Sequence, residues 1–190
     1  MNILVNSTSV ASWYEIIHEA EVSCATVLNE ELEAYLVFLL MRYLTKPEIA
    51  KQVIAEEFMA GLQLTTSQRE LVLRGVGDKC LLFSGLFPKM AESRLVKISY
   101  FVNIGQSAYG TLAKTHHDLY GSLAKEFVTL MDVLQSIRHH TSEFPDLLPL
   151  QAYDLWNETG SRRALSILKQ YTHAMPVSTK TCEIGKKLFK

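Results

Sequence analysis

The sequence predicts an all-α fold, a bundle of about six main helices with a short C-terminal helical appendage. Three observations carry this. Nearly every segment repeats its apolar residues at helical spacing, no segment alternates as a strand would, and two helix starts have the form of a capping box. Trp13, Ile17, Ala20 and Cys24 form a first stripe. Asn29 is a plausible N-cap for a second helix, in which Leu32, Tyr35, Leu36, Leu39, Leu40, Tyr43 and Leu44 recur at i, i+3, i+4 and i+7. Val37, Phe38 and Met41 make this helix apolar on its other side as well, which places it at the centre of the fold.

Thr45-Lys-Pro-Glu48 opens a third helix that runs to about Gln63. Ser67-Gln-Arg-Glu70 opens a fourth, and Phe87-Pro88 ends it, because proline disfavours a helical residue before it. A fifth spans Val96 to Lys114, with Ile98, Phe101, Val102, Gly105, Ala108, Tyr109 and Leu112 on one face. A sixth runs from Asp118 to His139. These give a bundle over residues 1–140, a linker with two short helices packed on it over 141–175, and a basic, flexible tail over 176–190.

Composition bounds the function. The chain has 190 residues, a formal net charge of -1 and a pI of about 6.6, a balance that argues against general nucleic-acid binding. Cys24, Cys80 and Cys182 are odd in number and widely spaced, with no C-x-x-C, which argues against a disulfide framework or a zinc site. The first residues lack a basic signal-peptide start, and the longest apolar run is far too short for a membrane span. A cytoplasmic location follows as the default.

The densest feature is Arg74 to Pro88, which packs glycines, one lone acid and an apolar run together. On a helix Gly77, Cys80 and Ser84 share a face, and Gly105 and Ala108 make a matching small patch on the next helix. Small residues let helix axes approach closely, so Gly77, Ser84, Gly105 and Ala108 are expected to form a tight helix–helix contact. A ligand lying over the glycines is the other reading. Asp78 sits within this segment. A surface ion pair with Arg74 at i−4 is its simplest role. A buried network with Arg74, Arg94, Tyr100 or Tyr109, or a ligand-binding acid, are the others.

Other motifs are weaker. Glu15-Ile-Ile-His18 is a single E-x-x-H pair, where di-iron carboxylate bundles need two such pairs and two further carboxylates. The His116-His117 and His139-His140 pairs place adjacent residues on different helix faces. No metal site and no cofactor is therefore expected, and no nucleophile signature is present to name a reaction.

Gly77-Asp-Lys-Cys-Leu-Leu-Phe-Ser-Gly-Leu-Phe87, with Ser93-Arg94-Leu95-Val96 and Val102-Asn-Ile-Gly-Gln-Ser-Ala-Tyr109, resembles a family of bacterial proteins. That family shares a G-D-x-x-L-(F/L)-x-(S/A)-G-(F/L)-F segment, a basic loop and a Tyr-rich helix ending in G-x-x-A-Y. The resemblance covers about residues 10–138. It implies a bacterial, intracellular, all-α protein and carries no activity.

Three functions stand. The first is a non-enzymatic cytoplasmic protein acting through association with a protein partner or with itself. The second is a bundle holding a small or apolar ligand in an internal pocket near Asp78. The third is a metal-dependent oxidase of ferritin-like or haem-oxygenase-like type. An exposed apolar patch favours the first.

Overall fold

The computed structural model describes residues 2–44, 54–88, 96–114, 117–141, 147–172 and 176–177. All regular structure among them is helical, with no strand. The helices are α1 (Asn2–Cys24), α2 (Glu30–Leu44), α3 (Ile54–Gln63), α4 (Thr66–Gly85), α5 (Ile98–Ala113), α6 (His117–Lys125), α7 (Phe127–Thr141), α8 (Pro149–Thr159) and α9 (Arg162–Tyr171).

Local chemistry sets the ends. Asn29 Oδ1 accepts the Leu32 N–H at 2.8 Å, which satisfies an orphan donor at the start of α2 as an N-cap does. The fourth helix starts earlier than Ser67: Thr65 takes an extended backbone before Thr66, and its carbonyl accepts the Arg69 N–H at 2.7 Å. Arg69 also donates to the Leu62 carbonyl at the end of α3. The start expected for α3 at Thr45–Glu48 lies outside the described residues. Pro149 occupies the first turn of α8, Gly160 ends that helix at φ 78°, and the Ser161 hydroxyl accepts the Ala164 N–H at 3.0 Å to start α9.

Two expectations about the bundle are corrected. The expected single helix from Asp118 to His139 bends at Glu126 into α6 and α7. Glu126 closes α6 through its N–H, which donates to the Ser122 carbonyl, and opens α7 through its carbonyl, which accepts the Leu130 N–H. The apolar spacing runs across it, so periodicity gave no warning of the bend. The central helix is also α4, not α2. Helix α4 packs against α3, α5 and α7, and Val76, Cys80, Leu81, Leu82 and Phe83 are all buried. Helix α2 packs on α1 and α6 at the edge, and Phe38 in its middle is 57% exposed. An all-round apolar helix is usually buried all round; here one side has no neighbour among the described residues.

The α8–α9 hairpin sits against α5 and α7 and adds Leu155 and Ala164 to the main core. Two polar clasps hold it. Lys97, just before α5, lies 2.5 Å from Glu158, which also accepts the Ser99 hydroxyl. Asp132 of α7 accepts the Ser161 hydroxyl at 2.6 Å and the Arg163 N–H at 3.2 Å, so a carboxylate from another helix caps α9.

Candidate functional site

The glycine-lined face of α4 turns Asp78 into the interior. Val76, Gly77 and Cys80 around it are buried, and Asp78 itself is 0% exposed. A solvated surface pair with Arg74 is therefore not what forms. The carboxylate Oδ1 accepts the Tyr35 hydroxyl at 2.5 Å and the Tyr109 hydroxyl at 2.8 Å. Oδ2 accepts Arg42 Nη1 at 3.2 Å. One acid thus joins α2, α4 and α5.

Arg74, one turn back on α4, lies instead over the Tyr35 ring, 5.5 Å from its centroid. The rings close the site. Tyr35 meets Tyr109 edge-on at 6.3 Å, and Tyr109 stacks on Tyr120 of α6 at 6.2 Å. The Tyr120 hydroxyl faces Glu70 at 3.4 Å. Gly77 makes this arrangement fit, since a Cβ there would fall within 3.0 Å of the Tyr109 ring. Gly105 does the same for the Phe127 ring and the Cys80 Cβ. Gly77 and Gly105 thus lie at the contact of α4 with α5, and Ser84 and Ala108 are buried in the same two helices.

The structure gathers Asp78, Arg74 and Tyr109 from the residues singled out in the sequence. Tyr100 lies nine residues before Tyr109, about 13 Å away along the axis of α5. It is 37% exposed and packs on Phe101 at 5.4 Å. Arg94 lies outside the described residues. Tyr35 was readable as an inward tyrosine from its place in the apolar stripe of α2. Arg42 was missed altogether, because a search for a counter-ion within α4 stops at Arg74.

Electrostatics follow from burial. Desolvation pushes the Asp78 carboxyl above the usual carboxylate range, against the pull of the Tyr35 and Tyr109 hydroxyls and the Arg74 and Arg42 charges. Desolvation, then the nearby Asp78 charge, raises the Tyr109 phenol well above its ordinary value. The Tyr43 phenol is pushed up to about 12, by burial first and Asp78 second. These phenols stay protonated as donors, and none is poised as a base near neutral pH.

The proposed metal pairs are not drawn together. Glu15 is exposed, and His18 lies 3.5 Å from Glu21, whose other oxygen accepts the Leu28 N–H at 2.6 Å. His139 is exposed, and His116 lies outside the described residues. Among the described residues no group of three or more His, Cys, Asp and Glu side chains converges. Comparison with known protein families, with curated proteins and with solved structures finds no match to this chain.

The raised Asp78 pKa has a pH signature. The folded state holds that proton more tightly than the unfolded chain. Its contribution is therefore full below the unfolded pKa of about 4 and is lost as pH rises through the higher folded value. Asp78→Asn removes this titration. Thermal melts across pH are expected to show the wild-type advantage over Asp78→Asn shrinking as pH rises from the acid side. An advantage that grows with pH would mean that ion pairing with Arg42 outweighs desolvation.

Proposed function

We propose that this is a non-enzymatic helical protein that acts by protein–protein association, and that it pairs with a second copy of itself through the outward face of α2. The observation that carries this reading is Phe38. It stands 57% exposed in the middle of a helix whose other face is packed into the core. Isolated exposed apolar residues are ordinary, but Phe38 has neighbours that suit a pairing surface. Ala34, one turn earlier, is small enough to receive a ring. Met41, one turn later, is half-buried and continues the stripe.

Charge along the helix supports an antiparallel partner. Glu30, Glu31 and Glu33 lie in its first turn and Arg42 in its last. Two copies crossing at Phe38 about a twofold axis bring each acidic end to the other's basic end. The Asp78 network also fits a structural role, because its two oxygens already accept three donors.

Cytoplasmic residence and bacterial origin belong to this proposal. Cys24 and Cys80 are free, in keeping with a reducing compartment, and no helix among the described residues is long and apolar enough to cross a membrane. Gel filtration with light scattering tests the contact. Phe38→Glu is expected to yield a folded monomer, where the wild type is a dimer with a melting temperature that rises with concentration. A Phe38→Glu protein that stays dimeric removes α2 from the interface.

A second reading, a ligand held between α2 and α4 beside Asp78, is favoured by one observation. Arg74 Nε is buried with no hydrogen-bond acceptor among the described residues.

A further inference from the structure

A polar cleft lies away from Asp78, where the ends of five helices meet. It has a volume of about 350 Å³. Its wall includes Cys24 and Thr26 at the end of α1, Gln106 of α5, Lys125 and Glu126 at the α6–α7 bend, and Arg162 at the start of α9. Three backbone irregularities meet at this spot. Ala25, between two lining residues, takes a left-handed φ of 49° without being glycine, a conformation that costs about 1–2 kcal/mol. Glu126 interrupts the helix, and Gly160 turns the chain at φ 78°. The Ala25 N–H donates to the Val22 carbonyl and the Thr26 N–H to the Glu21 carbonyl, so both left-handed residues close helix ends at the cleft.

The cleft presents both signs of charge. Helices α7 and α9 turn their N-termini to it, through Val128, Thr129 and Arg162, and these ends carry partial positive charge. The C-termini of α1, α6 and α8 reach it through Cys24, Lys125 and Thr159 and carry partial negative charge. Asp132 on the floor is already used by Ser161 and the Arg163 N–H. Glu126 accepts from Thr129 at 3.1 Å and lies only loosely beside Lys125, at 4.0 Å. Arg162 is exposed and has no ion-pair partner among the described residues. Two carboxylates, Asp132 and Glu126, and two cations, Lys125 and Arg162, therefore face the same space, and Asp132 is held by Ser161 and the Arg163 N–H.

We infer that this cleft binds a small polar zwitterion, a free α-amino acid. Its carboxylate lies against Arg162 and Lys125 and its ammonium against Glu126. A ligand of one charge sign would leave the opposite wall unmatched. The volume is ample for a molecule of this size. The site is independent of the face of α2, so its failure leaves the association proposal standing.

Titration by isothermal calorimetry and by backbone amide NMR tests this, with L-serine as the probe. Glycerate, which lacks the ammonium, and ethanolamine, which lacks the carboxylate, are the controls. L-serine is expected to bind saturably, with shifts confined to residues around Thr26, Glu126 and Arg162. Each control is expected to bind about tenfold more weakly or worse, the scale of one lost charge-assisted contact. Arg162→Gln and Glu126→Gln should each weaken serine by a similar factor while leaving the thermal melt in place. No saturable serine binding, equal binding by either control, or binding unchanged in both variants would each overturn the assignment.

Discussion

Asp78→Ala is expected to destabilise the protein by about 2–5 kcal/mol, the range for stripping the acceptor from buried donors. The carboxylate accepts both the Tyr35 and the Tyr109 hydroxyl, and both tyrosines are at least nine-tenths buried. Alanine removes the acceptor that the two phenols share, in a site that they cannot leave. Tyr109 is held between Gly77 and Tyr120, and Tyr35 lies beneath Arg74. Arg42 suffers less, because its side chain is 41% exposed and can turn to water. Asp78→Asn is expected to cost clearly less than alanine. Its amide oxygen can keep both tyrosine bonds, and only the Arg42 contact is lost. Chemical denaturation of the three proteins gives the order directly. If Asp78→Ala shifts stability by less than about 0.5 kcal/mol, the acid is not tied into the core.

The glycines supply the second large effect. Gly105→Leu is expected to cost about 3 kcal/mol or more, at the upper end of overpacking. The added Cβ would sit within 3.0 Å of Phe127, which is fully buried, and of the Cys80 Cβ, which is fixed to the backbone of α4. Gly77→Ala meets the Tyr109 ring in the same way. It is expected to cost about 1–3 kcal/mol, less whatever alanine returns in helix propensity. Gly75 is the internal control. A Cβ at Gly75 has no atom within 4 Å, so Gly75→Ala should stabilise by up to about 1 kcal/mol. Opposite signs at two glycines two residues apart distinguish a close approach from a simple propensity effect. A melt unchanged by Gly105→Leu would remove the α4–α5 contact from the account.

How far the sequence reached depends on the range of the interaction. Features written within one helix were legible: the apolar stripe of α5, the Asn29 cap of α2 and the stop at Phe87-Pro88. Features set by which helices become neighbours were not. Helix α2 is apolar on both sides in sequence, yet packing leaves Phe38 outside and gives the centre to α4, whose glycines admit its neighbours. Asp78 was marked as an acid in an apolar setting, which burial alone can require. Its partners Tyr35 and Arg42 lie 43 and 36 residues away, and only the tertiary fold selects them over Arg74. The bend at Glu126 kept the apolar spacing, so periodicity read straight through it. The polar cleft is made of helix ends, where no periodic pattern exists to be read.

The most direct test of the functional proposal is sedimentation velocity on the wild-type protein over a wide range of concentration. A chain of 21.5 kDa that pairs through α2 should pass from monomer to a species of twice that mass. The transition should fall within the micromolar range that a modest helical interface supports. A single species of monomer mass that persists to about 100 µM would contradict self-association through this surface.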